Sequence, residues 1–154
     1  MTSFEQMTPR ERNAHMIERI RGGEHAPYQE GRHVLRVLSA PGRVTGEPRP
    51  WPIAVTQVDG RHYVAAPNRR RDWVRNLLAA GRCSVERDEQ PDRRATLVEG
   101  DEAAAAVATY LAALGRPSTL WPFPSDAPVE RIRRHTAEIA VFRLEPIGGA
   151  ACAN

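Results

Sequence analysis

The chain has 154 residues and a net charge of +3 at pH 7, with 22 basic residues against 19 acidic ones; every basic residue is arginine. That length suits one domain with a substantial core, and the scattered charge excludes the concentrated basic face that duplex DNA requires. The two cysteines, Cys83 and Cys152, lack metal-ligand spacing, so neither a disulfide framework nor a metal site is expected.

The N-terminus has no apolar signal core and no run reaches bilayer length, which makes the expected location cytoplasmic. Residues 8–21, "TPRERNAHMIERIR", open with Thr8 as N-cap and Pro9 at the first helical position. Met16, Ile17 and Ile20 form a narrow apolar stripe, and Gly22-Gly23 stop the helix. Such a stripe packs on its own sheet in the favoured reading; contact with a membrane surface is the alternative.

Strands follow. "HVLRVLSA" (33–40), "PIAVTQV" (52–58) and "RHYVAA" (61–66) are joined by hairpin-length links, the second through Asp59-Gly60. A short helix is predicted next, with Asp72 at the N-cap and Gly81 as terminator, then strands at 83–87 and 94–100 around "DEQPD". A longer helix runs from Asp101 to Leu114. The Pro-rich loop "STLWPFPSDAP", a short helix "VERIRRHT" and a last strand "EIAVFRLEPI" complete the order. Hairpin links disfavour parallel winding and point to an α+β fold, a small antiparallel barrel of about six strands with inserted helices. The expected organisation is one domain over 1–154: helix and loop to residue 30, barrel over 31–147, tail over 148–154.

Nucleophile elbows, zinc-protease motifs, P-loops and dinucleotide fingerprints are missing, and the five histidines are dispersed. An enzyme built this way borrows a cofactor for its chemistry. Two segments stand out. "PGRVTGEPRPWPIAV" (41–55) places two glycines, four prolines and two arginines between strands. It is either a stiff solvated loop or a turn whose free N–H groups, beside Arg43 and Arg49, suit an anion. "VAAPNRRRDWVRNL" (64–77) carries three arginines into a helix N-terminus, either as a solvated charge run or as a second anion site. Strand counting puts both at one end of the barrel, where a single anionic ligand could meet both.

Together these segments resemble the deazaflavin-dependent nitroreductase family, the split-barrel flavin and deazaflavin oxidoreductases of actinobacteria. Gly42, Arg43, Thr45, Gly46, Pro48, Arg49, Pro52 and Ile53 match the first half of its pattern; Trp73, Asn76, Leu77 and Ala79 match the second. The resemblance covers residues 33–100 and, loosely, the last strand. It implies a split β-barrel binding coenzyme F420, whose phosphodiester and oligoglutamate tail would meet Arg43, Val44, Thr45, Gly46 and Arg49. Val44 stands where the family has lysine, and Arg69, Arg70 and Arg71 would supply compensating charge. The ring would lie against backbone of Trp51, Pro52 and Ile53 and of Ala65, Ala66, Pro67 and Asn68, with Trp73 and Asn76 nearby.

The implied activity is hydride transfer from reduced F420 to an electron-poor small-molecule acceptor: a quinone, enone or nitroaromatic. FMN is the alternative cofactor, and a non-catalytic carrier of coenzyme or a lipid-like ligand is the alternative function. The strand reading aims Tyr63 into the groove, while Tyr110 is expected in the core. Trp121 and Phe123 either cover a planar acceptor or plug the barrel. A homodimer is the expected assembly, and nucleic acid is not an expected partner.

Overall fold

The structure is a computed structural model that describes residues 6–147; the expected tail and its Cys152 lie outside them. The elements in order are α1 (Pro9–Gly22), β1 (His33–Pro41), β2 (Pro48–Val58), β3 (Arg61–Ala66), α2 (Asp72–Ala80), β4 (Arg82–Val85), β5 (Asp92–Val98), α3 (Gly100–Leu114), α4 (Val129–Arg133) and β6 (Ala140–Pro146). The strands close into a barrel in the order β1-β2-β3-β6-β5-β4. Every pairing is antiparallel, as the hairpin-length links require. The α+β split barrel expected from the sequence is the fold observed.

The β1–β2 hairpin differs from expectation. β2 begins at Pro48 rather than Pro52, so Arg49, Pro50 and Trp51 belong to a strand and the turn shrinks to 42–47. Pro48, Pro50 and Pro52 share one parity, so their missing donors all face the edge away from β1. β3 joins β2 only at Thr56–Val58, which leaves that edge without a ladder to break. The prolines therefore permit a strand where the sequence suggested a loop.

The barrel interior is packed by Leu38, Trp51, Val55, Val64, Leu77, Val85, Phe142 and Leu144, among others. A second cluster lies outside the wall, where Ala103, Ala106, Val107 and Leu111 of α3 cover Tyr63 and Val141. α1 is closed by a capping box: Thr8 Oγ1 accepts from Glu11 N at 3.1 Å and the Glu11 carboxylate accepts from Thr8 N at 2.9 Å. The helix lies against β1 and β2 with Ile17 buried, in line with the favoured reading of its stripe. Among the described residues no helix is long and apolar enough to cross a membrane.

The strand ends opposite the 42–47 turn are closed by a buried polar group. Arg93, 1% exposed, donates to Asp88 at 3.1 Å, to the carbonyls of Gln90 at 2.7 Å and Leu144 at 3.2 Å, and lies 2.9 Å from His62 Nδ1. Tyr28 donates to Asp88 at 2.5 Å and stacks on His62 with centroids 3.9 Å apart. Burial, aided by the Arg93 charge, lowers the His62 pKa to about 4.

Candidate active site

Antiparallel order places the β1–β2 turn and the β3–α2 link at one end of the barrel, and side chains join them. Arg43 Nη1 donates to Asn76 Oδ1 at 2.8 Å, its backbone N–H reaches the same oxygen at 3.1 Å, and Nη2 lies 3.3 Å from Asp72. Asn76 is 7% exposed, so this carboxamide is a buried bracket between turn and helix. The turn tightens on itself, with Gly42 N bonded to Glu47 O at 2.8 Å and Gly46 N to Gly42 O at 2.9 Å. Gly46 has φ +77°, which explains one glycine. The other is steric: a Cβ on Gly42 would lie 3.2 Å from Arg49 Nε and 3.3 Å from its Cγ. Gly42 lets the Arg49 side chain lie across the turn.

The result is an open cleft of about 590 Å³ lined by Gly42, Arg43, Val44, Thr45, Arg49, Asp72 and Asn76, with Pro9, Arg10 and Asn13 of α1 on its far side. Among the described residues Arg10 and Arg49 form no ion pair, and the amides of Val44 and Thr45 have no acceptor. Unpaired guanidinium groups beside free N–H groups suit an anion with several charged oxygens.

A second cleft, about 410 Å³, adjoins α2 on the other side. Pairing between β2 and β3 stops at Thr56↔Tyr63, and the two strands part above it. The opening is lined by Pro52, Ile53 and Ala54 on one wall and Ala65, Pro67, Arg71 and Trp73 on the other. Tyr110, Leu114 and the 116–121 loop with Trp121 roof it. Trp73 stacks on Trp51 at 5.2 Å, and Trp121 lies 6.4 Å from Tyr110 and 5.8 Å from Phe123. Aromatic and aliphatic walls, with Arg71 and Arg116 beside them, suit a planar ring system that carries polar edges. Consecutive residues line the two clefts, Arg71 the second and Asp72 the first.

Not all expected residues line these clefts. Arg43, Val44, Thr45, Arg49 and Asn76 line the first, and Gly46 shapes its turn; Pro52, Ile53, Pro67, Arg71, Trp73 and Trp121 line the second. Trp51, 4% exposed, and Ala66, fully buried, are packed in the barrel interior because their strand parity turns them inward. Asn68 spends its side chain on the Arg70 amide at 2.9 Å. Arg69 is a strut: it donates to the carbonyls of Ile139 at 2.7 Å and Thr136 at 3.0 Å and pairs with Glu99 at 2.8 Å. Arg70 lines neither cleft. Asp72, expected as N-cap of α2, is its first helical residue; Arg71 holds the cap position.

Of the two tyrosines, Tyr63 departs from its expected position and Tyr110 packs against the α3 cluster as expected. Tyr63 is 5% exposed, and its hydroxyl donates to Glu102 at 2.7 Å, beside a small void under α3. Burial would raise the Glu102 pKa, but hydrogen bonds from Arg143 and Tyr63 outweigh it and hold it below the usual range. Tyr110, half-buried against that cluster, also lines both the void and the second cleft, with no hydrogen-bond partner for its hydroxyl among the described residues. Burial raises its pKa, so the hydroxyl keeps its proton at neutral pH. Tyr110 lies seven residues after Ala103 and four after Ala106, so it shares their face of α3. Arg10 and Asn13 had no signal, since nothing in sequence shows which element α1 packs beside. Cys83 is buried and its pKa is pushed up to about 12 by burial, which makes it a packing thiol and no nucleophile.

The fold is a split antiparallel barrel with both clefts at one end. Residues 10–114 match the family described as F420H(2)-dependent quinone reductase, and the chain belongs to that family. Its chemistry is therefore F420-dependent oxidoreduction. A solved structure described as a domain-swapped dimer is 20% identical with a TM-score of 0.51, covering 72% of this chain and 79% of its own. Another, described as an F420-H2 dependent reductase, is 19% identical with a TM-score of 0.50, covering 79% of this chain and all of its own. At such identities the likeness concerns the fold. None of the curated proteins matches the chain.

Proposed function

We propose that the chain passes hydride from reduced F420 to an electron-poor organic acceptor, a quinone, enone or nitroaromatic. One observation carries this reading: a cleft with unpaired arginines adjoins a cleft with aromatic walls, as a coenzyme with a polyanionic tail and a flat ring requires. Arg43, Arg49 and Arg10, with the Val44 and Thr45 amides, would hold the phosphate and glutamate carboxylates. Arg71, whose neighbour Asp72 lines the first cleft, would stand beside the linker. Pro52, Ile53, Ala65 and Pro67 would flank the ring. When bound, the deazaflavin supplies the hydride.

The chain's own part is to orient and to hold a proton. The Trp73 and Trp121 rings close on a flat acceptor and exclude water from it. The Tyr110 hydroxyl, protonated and without another partner, faces the acceptor and gives it a hydrogen bond or a proton. The parity and bonding of Tyr63 suit support of this wall through Glu102 rather than contact.

Calorimetry with F420 and with FMN, followed by oxidation of reduced F420 with a panel of quinones, enones and nitroaromatics, tests the reading. Binding of FMN without F420 moves the chain to flavin chemistry. Tight F420 binding without turnover by any acceptor makes it a carrier. With turnover in hand, Tyr110→Phe should lower kcat by about 10²-fold with coenzyme affinity unchanged, while Tyr63→Phe should mainly lower the melting temperature.

A further inference from the structure

The cleft between α1 and β1 takes no part in this chemistry. It holds about 350 Å³ and is lined by Met16, Ile20, Val34 and Leu35 together with Arg19 and Arg36. Its size is at the small end for ligand sites. Leu35 is 47% exposed there, an apolar side chain that the fold leaves uncovered.

Arg36 makes the cleft unusual. It is 3% exposed on an inward-facing strand position, yet forms no ion pair among the described residues. Its Nη groups donate to the carbonyls of Leu35, at 3.1 Å, and Ala26, and its guanidinium lies 4.8 Å from the Tyr28 ring centroid. Asp88, the carboxylate of that region, is taken by Arg93 and Tyr28. Arg36 Nε is buried with no hydrogen-bond partner, in a residue that lines the cleft. Carbonyls and a ring solvate a guanidinium but do not neutralise it, and a buried charge without a counter-charge is costly. The nearby charges add to the imbalance. Arg19 stands at the mouth, Arg87 spends its guanidinium on the last carbonyls of α1, and Glu86 is held by Arg21. Glu24 is the one acid in the lining.

We infer that this cleft is a second binding site, for an apolar molecule carrying a single carboxylate. The apolar body rests on Met16, Ile20 and Leu35, and the carboxylate sits over Arg36, supplying the counter-charge the fold omits. The site lies apart from both clefts of the proposed active site, and its occupancy does not depend on the F420 reading.

The chain's three methionines make the test direct, because only Met16 lines the cleft. Protein with ¹³C-methyl methionine is titrated with decanoate and with decan-1-ol, with and without F420. The expected result is a saturable shift of the Met16 methyl signal, about tenfold tighter for decanoate than for the alcohol, and unchanged by F420. Leu35→Glu puts an anion at the exposed mouth and should abolish decanoate binding with no loss of melting temperature. Arg36→Met should erase the preference for the carboxylate; if that variant does not fold, Leu35→Glu decides. No saturable Met16 shift, equal affinity for acid and alcohol in the unmodified chain, or binding that survives Leu35→Glu would each overturn the proposal.

Discussion

The two ends of the barrel use the same residue for opposite purposes. At the closed end Arg93 is buried and fully engaged by Asp88, two carbonyls and His62. At the open end Arg49 is exposed, lies over Gly42, and has no carboxylate partner among the described residues. Arg43 is intermediate, with one face held by Asn76 and Asp72 and the other turned to the cleft. What separates a structural from a binding arginine here is therefore its partners, not its identity. A chain that uses only arginine for positive charge hides that difference completely.

The sharpest way to break the comparison is at the closed end. Arg93→Leu leaves Asp88, whose side chain is 4% exposed, as a buried carboxylate without its cation. The expected loss is about 3–5 kcal/mol of folding stability, read by urea denaturation. Substrate turnover of whatever folded protein remains should be nearly normal. A stability change near zero would mean that the group is solvated after all, and the contrast between the ends would fail.

At the open end the effect should move from stability to binding. Arg49→Ala should weaken F420 binding by about 1.5–3 kcal/mol, with the melting temperature unchanged and a shallower salt dependence. Arg43→Ala should do both kinds of damage, because it frees the Asn76 carboxamide as well as removing a cation. Equal melting losses in the two variants would show that Arg49 is structural too.

How much of this was legible follows from the same distinction. The barrel could be read because hairpin links, the Asp59-Gly60 turn and helix caps act locally. The position of the open end could be read because antiparallel order fixes it. The extent of β2 could not, since prolines at 48, 50 and 52 are tolerated only where β3 has already departed, a fact of tertiary pairing. Arg69 looked like Arg71 in sequence; Ile139 and Thr136, 70 and 67 residues away, claim one and not the other. Tyr63 missed its expected place in the groove for the same reason. Strand parity shows a face but not which helix covers it, and α3 covers that of Tyr63.

The aromatic roof gives a smaller effect. Phe123 is 4% exposed and packs in the α3 cluster, so the plug reading describes it, whereas Trp121 is half-buried and lines the cleft. Trp121→Ala should cost an acceptor about 0.5–1.5 kcal/mol of stacking. The expected signature is a raised KM that differs between quinones and nitroaromatics, with F420 affinity intact. A parallel loss of coenzyme binding and melting temperature would assign Trp121 to the plug as well.

The smallest effect returns to the closed end. The His62 pKa is about 4 in the fold, against an ordinary value of 6.5, because burial and Arg93 disfavour its charged form. The unfolded chain therefore binds the proton first as pH falls. By linkage, this contribution is fully present above about 6.5 and is lost progressively between 6.5 and 4. The ring stays partly open to solvent, which keeps the change small. Melting temperature should decline with pH across that window, and His62→Gln, which keeps a polar partner for Arg93 but cannot titrate, should flatten the decline. The open end offers a control, since arginine does not titrate there and Arg49→Ala should leave the slope as it was. If His62→Gln melts with the original slope, the pH sensitivity belongs to the carboxylates, and the closed end's histidine is a spacer between Tyr28 and Arg93.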